Sequence, residues 1–240
     1  MLILLPPSEG KTVPKRGKPL DLETLSLPTL NPFREQVLDA LIALRGEQAR
    51  EVLGLSEGQL DEVSRNKVLR TAPTAAAAKV YTGVLYESLD LATLSPPARR
   101  LMKRSLLIFS GLWGVVGIGD RIPAYRCSVG VNLPGVGTLG PFWRKALPPS
   151  LGDGHLVVDL RSGPYAAMWP VSGNHVVIRV LHGGKVVSHF NKATKGRLVR
   201  DLAMAGLRPK TVPALVSALR ELKYTVEVDG PRVDVIVTEL

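Results

Sequence analysis

Lys11 directly follows a glycine in Ser8-Glu9-Gly10-Lys11-Thr12, where its ammonium can reach a phosphate or a substrate carboxylate. The run looks like the end of a Walker loop, but that pattern needs a further glycine ahead of Gly10, and Leu4 through Pro7 supply none. Nucleoside-triphosphate hydrolysis of the Walker type is therefore not expected. A second group is basic: Lys192, Lys195, Arg197 and Arg200, with Lys185 nearby. Lys192 and Lys195 are three residues apart and share one side of a helix, and Arg197 and Arg200 repeat that spacing on a neighbouring side. A phosphate backbone rewards such a stripe through counterion release. The same spacing also makes an ordinary solvated helix face. Ser162 and Tyr165, with Arg161 beside them, are placed to hold a polar substrate. The nucleophile-elbow pattern G-x-S-x-G is absent, since Ser162 sits in Leu160-Arg161-Ser162-Gly163-Pro164.

The histidines, His155, His175, His182 and His189, show no ligand-like spacing with one another or with cysteine. Asp120, Asp159 and Glu9 have the hard oxygens that cations take, but loop acids of this kind are usually caps or ion-pair partners. No metal and no cofactor is expected. Cys127, the one cysteine, forms no intrachain disulfide, which fits a reducing compartment. Its neighbour Arg126 is a cation of the kind that lowers a thiol pKa. The plainer reading is a small, partly buried residue.

These residues stand at the ends of apolar runs. Leu2–Leu5 reads as a strand running into the Ser8–Thr12 turn, and Leu106–Ser110, Leu156–Ser162 and Val176–Leu181 repeat the pattern. Polar groups at several strand ends imply one composite cleft. Residues 13–32 read as a surface loop that lies over it. Pro32 opens a helix with an apolar stripe through Val37, Leu38 and Leu41, and Gly46 interrupts it. Gly54-Leu55-Ser56 turns into a short helix with a capping box from Ser56 to Gln59. The two helices around this glycine either present amides to a phosphate or pack into the core. Tyr81 through Tyr86 reads as an exposed turn or helix start on a functional edge. Ser110 through Pro123 contains four glycines without the order of a dinucleotide fingerprint. Val176–Leu181 is expected to turn at Gly183-Gly184 into a return strand, Val186–Phe190. Helices at 191–205 and 212–222 and strands at 224–228 and 233–238 close the chain.

This order of elements predicts an α/β fold with a mixed central sheet and helices around it. No credible interdomain linker is visible, so residues 1–240 read as a single domain. The net charge of +10 favours anionic partners. No apolar run approaches the ~20 residues that span a bilayer, and no basic leader precedes Leu2. Membrane partners are not expected, and cytoplasm is the expected compartment. No feature sets the number of subunits.

One ordered set of segments carries a resemblance. It begins with Lys11, Tyr81-Thr82-Gly83 and Ser110-Gly111-Leu112-Trp113-Gly114-Val115. Asp120, Pro123 through Arg126, Phe142-Trp143, Asp159-Leu160-Arg161-Ser162 and Tyr165 come next. Ser188 through Lys192, Lys195-Gly196 and Arg200 complete it. Together they resemble the YaaA peroxide-stress protein family over nearly the whole chain. The resemblance implies a cytoplasmic protein that limits oxidative DNA damage, lowers available iron and binds duplex or distorted duplex DNA in a basic cleft. It implies cleft roles for Lys11, Tyr81, Ser110, Asp120, Tyr125, Arg126, Ser162, Tyr165, Lys192 and Lys195. Two readings follow. In one, Lys and Arg contact phosphates while Tyr81, Tyr125 or Trp113 stacks on a base. In the other, an enzyme acts on a small anionic or nucleobase-like substrate. Asp120 is then the base, Lys11 or Arg126 the anion clamp, and Tyr125 or Ser162 the orienting donor.

Overall fold

Leu2–Leu5 is buried at every position, with no polar alternation, as in an interior strand that has a parallel neighbour on each side and both faces covered. The computed structural model describes residues 1–182, 184, 185 and 188–237. Its strands are β1 (Leu2–Leu5), β2 (Ala75–Ala76), β3 (Leu106–Ser110), β4 (Gly114–Gly117), β5 (Arg121–Ile122), β6 (Asn132–Leu133), β7 (Gly137–Thr138), β8 (Val157–Asp159), β9 (His175–His182), β10 (Thr225–Asp229) and β11 (Arg232–Val237). Its helices are α1 (Asn31–Ala43), α2 (Gly46–Leu53), α3 (Leu60–Lys67), α4 (Ala77–Val80), α5 (Val84–Leu89), α6 (Pro96–Ser105), α7 (Leu139–Ala146), α8 (Gly163–Met168), α9 (Ser188–Met204) and α10 (Val212–Glu221).

A seven-stranded mixed sheet runs β10-β11-β9-β8-β1-β3-β4. β3, β1, β8, β9 and β11 are parallel, and an antiparallel strand closes each end. The chain leaves β1 for β3 on one side and returns to β8 on the other. Such a reversal opens a crevice at the carboxyl ends of the strands. The fold is the expected single α/β domain around a mixed sheet.

The β4 edge is closed by a side chain. Arg34 of α1 is fully buried; its Nε donates to the Trp113 carbonyl at 3.1 Å and its Nη2 to the Val115 carbonyl at 2.7 Å. The same guanidinium donates to the Ser26 and Leu27 carbonyls and to Asn31 Oδ1, taking the place of an eighth strand. Burial holds the Arg34 pKa down to about 10, against which Asp120 pulls upward.

At the opposite face of the site, Gly196 in α9 lies against α5. A Cβ there would fall 2.8 Å from Ser88 Cβ and 3.0 Å from the Leu89 nitrogen, and closer still to the Leu85 carbonyl oxygen. Only glycine lets the two helices approach this far.

Several expectations change. Residues 13–30 are tied to the far edge of the sheet by Thr74 N donating to Lys18 O and by Ser26, and none of them lines the cleft. Tyr81, Leu85 and Tyr86 are buried rather than exposed, since they face α9 and the β1 loop. After β9, Lys185 bridges back to His182, but Ser188 already begins α9 instead of continuing a strand. Gly183, Val186 and Val187 of that expected hairpin, and Thr238 of the last strand, lie outside the described residues.

Candidate functional site

The loop after β1 folds back onto the segment before α5. Tyr86 Oη donates to the Pro6 carbonyl at 2.6 Å, Thr82 N donates to Ser8 Oγ at 3.0 Å, and Lys11 bridges to Tyr81. Ser8 Oγ in turn donates to the Gly10 carbonyl at 2.6 Å. These bonds turn the Lys11 side chain back over its own loop. Its Nζ donates to the Ser8 and Glu9 carbonyls at 2.8 and 3.2 Å and stands 4.4 Å from the centre of the Tyr125 ring.

Around this amine lies a cavity of about 490 Å³. It is walled by residues 6–11, Thr82 through Tyr86, Tyr125 through Ser128, Ser162, Tyr165 and Lys192. The loops after β1 and β8 therefore face each other across the reversal in strand order. A smaller hollow of about 260 Å³ near Leu22 holds Arg70, which is already paired with Glu35 and Asp39.

Burial lowers the Lys11 pKa to about 8, and the neighbouring Arg126 charge pushes the same way. Arg126 is held by its backbone. Buried Asn66 accepts from the Arg126 amide at 2.9 Å and donates to its carbonyl at 2.7 Å. The Arg126 guanidinium is left with a loose contact to exposed Glu9, 3.7 Å away. Asn66 carries no sequence signal, since it stands between Arg65 and Lys67 in a mostly polar helix. Tyr86 and Thr82 were legible only as part of the Tyr81–Tyr86 run.

Tyr125 is supported from behind. Its Oη lies 2.7 Å from Ser110 Oγ and 2.8 Å from Tyr81 Oη. Ser110 Oγ also accepts from the Leu112 and Trp113 amides at 3.2 and 3.0 Å, which fixes the turn into β4. Burial raises the pKa of both tyrosines well above the ordinary phenol value. Ser110 and Tyr81 thus position Tyr125 and do not themselves line the cavity. Trp113 is fully buried beside Tyr125 and offers no free face to a base.

The structure separates the remaining predicted residues. Ser162 and half-buried Tyr165 line the cavity, and burial raises the Tyr165 pKa to about 12. Arg161 lies below them. It holds Asp159 through two hydrogen bonds of 2.9 and 2.7 Å and donates to the Tyr165 and Trp169 carbonyls, so it positions α8 and faces no substrate. Asp120 is buried at the β4–β5 turn outside the cavity wall. Its oxygens accept from Ser26 N, Ser26 Oγ and Gly117 N at 2.8–2.9 Å. Cys127 does line the cavity, but burial pushes its thiol up to about 12 despite the nearby Lys11.

The basic stripe divides in the same way. Lys192 is exposed on the cavity wall and Arg197 is exposed beyond it. Lys195 turns inward, its Nζ donating to the Leu160 carbonyl at 3.2 Å, and burial lowers its pKa to about 8. Arg200 donates to the Leu89 and Asp90 carbonyls at 3.1 and 2.9 Å and so caps the end of α5. Among the described residues no three His, Cys, Asp or Glu side chains gather to hold a metal ion. No described helix is long and apolar enough to cross a membrane.

Fold and site together define an α/β protein with a cationic, tyrosine-walled cleft at the carboxyl edge of a mixed sheet. Its family is set by comparison. The family model described as peroxide stress protein YaaA matches residues 1–229, and the chain belongs to that family. A UPF0246 protein of Streptomyces coelicolor is 54% identical over 96% of this chain and 94% of its own length. Another, from Corynebacterium efficiens, is 44% identical over 97% of each chain. A UPF0246 protein of Corynebacterium glutamicum is 41% identical over 95% of each.

Proposed function

We propose that this peroxide-stress protein takes one anionic, nucleotide-sized unit into the cleft, and that in the cell this unit belongs to a DNA strand. The observation that carries the reading is the Lys11 amine over the Tyr125 ring, with Arg126 and Lys192 on the wall of the same cavity. A cavity of about 490 Å³ fits one such unit and lies within the ~300–1,000 Å³ of small-ligand sites. The net charge of +10 draws a polyanion toward it. Anisotropy with matched, mismatched and single-stranded DNA at two salt concentrations tests this. Binding should weaken steeply with salt and fall at least ~10-fold in Arg126→Ala, since a hydrogen bond to a charged group contributes ~1.5–3 kcal/mol. No binding at low salt removes DNA as the source of the unit.

The second reading is an enzyme acting on a small anionic or nucleobase-like substrate. It is favoured by the low pKa of Lys11 in a cavity that Ser162 and Tyr165 also line. Turnover of nucleosides or damaged bases by wild type, lost in Lys11→Ala, would carry it. The fall in available iron implied by the family resemblance is tested by anaerobic Fe(II) titration. Stoichiometric binding places iron on this chain, and none makes the effect indirect.

A further inference from the structure

We propose that Lys11 is a nucleophilic amine that captures an aldehyde-bearing sugar phosphate, the ring-opened deoxyribose of an abasic nucleotide, as an imine. This rests on the nucleotide-unit reading above and assigns the substrate class of the same cavity.

The argument begins with geometry. Lys11 Nζ makes two hydrogen bonds, both to backbone carbonyls, and among the described residues no carboxylate lies within ion-pair distance of it. A lysine kept only for charge would be expected to have an acid partner when enclosed. Two donor bonds to Ser8 and Glu9 fit a neutral amine as well as an ammonium. They leave one tetrahedral direction of the nitrogen for a lone pair. Enclosure and a neighbouring cation, Arg126, are the two devices that activate amines for Schiff-base chemistry. Both act here, and the amine retains its proton only up to a pH of about 8. At pH 7 its unprotonated fraction is roughly two orders of magnitude above that of an ordinary lysine.

The rest of the wall suits the proposed ligand. Arg126 and Lys192 are cations for the phosphate, and Arg126 is held only loosely by Glu9. Ser162 and Tyr165 offer hydroxyls for the sugar oxygens and for proton transfer. The lone pair of Nζ adds to the aldehyde carbon as the C=O π bond breaks, and one of the two amine protons passes to the carbonyl oxygen. The resulting carbinolamine loses that oxygen as water, the second proton coming from nitrogen, to leave a C=N bond. Amine and aldehyde give imine and water, with no change of oxidation state.

Borohydride reduction tests the proposal on the whole protein. The protein is incubated with a duplex carrying one abasic site, with the intact duplex, and with free 2-deoxyribose 5-phosphate. The adduct is then reduced and located by peptide mapping, while anisotropy on the same duplexes reads non-covalent binding. The expected result is an adduct on Lys11 with both aldehydes and none with the intact duplex. Trapping should slow about tenfold per pH unit below 8 and fall at least 100-fold in Lys11→Arg, which keeps the charge. Mapping on wild type makes the result independent of whether that variant folds. An adduct with free sugar phosphate but neither binding to nor trapping of duplex keeps the Lys11 assignment and removes DNA. Duplex binding without an adduct overturns the imine and leaves the nucleotide reading standing. Adducts spread over exposed lysines overturn the assignment to Lys11.

Discussion

Replacing Gly196 with alanine sets two known effects against each other. An alanine in a helix interior is favoured over glycine by about 1 kcal/mol, and Gly196 lies inside the 17-residue helix α9. Against this stands the contact with α5. The added methyl would meet Ser88 Cβ at 2.8 Å, the Leu89 nitrogen at 3.0 Å and the Leu85 carbonyl oxygen closer still. Two of the three atoms are backbone, so no side-chain rotation relieves the clash, and α5 must move by about an ångström. Overpacking of this kind costs about 1–3 kcal/mol, and contacts on rigid backbone belong at the upper end. The net expectation is a destabilisation of about 2 kcal/mol, or a melting temperature lower by roughly 4–8 °C for a chain of this size. Thermal melts and urea titrations of wild type, Gly196→Ala and Gly58→Ala decide it. Gly58, with open space around it and an ordinary φ, is the control and should be unchanged or slightly more stable. Because α5 carries Tyr86, the Gly196 variant should also bind ligand more weakly. A Gly196→Ala protein as stable as wild type would refute the account of how α9 sets the cleft wall.

Arg34→Met should cost about 3–5 kcal/mol in urea titrations, because several edge carbonyls lose their donor inside the fold; a loss under 1 kcal/mol would mean that water replaces the guanidinium. Cys127, with its thiol pushed up to about 12, should react with a disulfide reagent at pH 7.5 orders of magnitude more slowly than a free thiol and regain the normal rate on unfolding. Lys11 and Lys195 both release their proton near pH 8 in the folded protein but near 10.5 unfolded. Between those values the unfolded chain holds more protons, so stability should rise by roughly 2 kcal/mol for each lysine from pH 8 to 10, less what the first ionisation of unfolded tyrosines removes near pH 10. Above pH 10 the sign reverses, since Tyr81, Tyr86 and Tyr125 ionise when unfolded but stay neutral when buried. Denaturation midpoints at pH 7, 8.5, 9.5 and 11 trace this maximum, and a midpoint that falls between 8.5 and 9.5 contradicts it.

The strands were legible because β1, β3 and β8 are built mainly of apolar runs between polar turns, as parallel interior strands are, while β9 carries apolar residues on both sides of Arg179. Their convergence followed from the polar residues at their ends, and Lys11, Tyr125, Arg126, Ser162, Tyr165 and Lys192 do share one cavity. What sequence could not show was the commitment of each polar group. Asp120 has the chemistry of a base, yet Ser26, 94 residues earlier, takes both its oxygens. Lys195 and Arg200 keep the spacing of a surface stripe, but their own stretch does not reveal that Leu160 and the end of α5 wait beneath them. Arg34 reads as the polar side of an amphipathic helix and is fully buried. At the end of β9 the run from Val186 has both apolar content and helix-compatible length, and periodicity over so few residues does not separate the two.

The placement of the cations has a common cause. The loops and the short helix beyond β1 and β8 carry carbonyl groups that no strand takes up, and they lie along one edge of the sheet. Lys11 answers Ser8 and Glu9 in the loop after β1, Lys195 answers Leu160 directly after β8, and Arg161 answers Tyr165 within α8 and Trp169 at its end. Positive charge therefore gathers at the carboxyl edge for structural reasons before any ligand is considered. An anion entering the cleft meets a field that folding has already assembled, which is the preorganisation that makes a site bind well. It follows that the cations divide by role. Lys195 and Arg161 are spent on the chain, so their removal should lower stability and binding together. Among the described residues Arg126 and Lys192 hold no backbone carbonyl through their side chains, so their removal should lower binding alone. Lys11 alone both closes its loop and faces the cavity, and it is the residue at which stability and ligand chemistry cannot be varied separately.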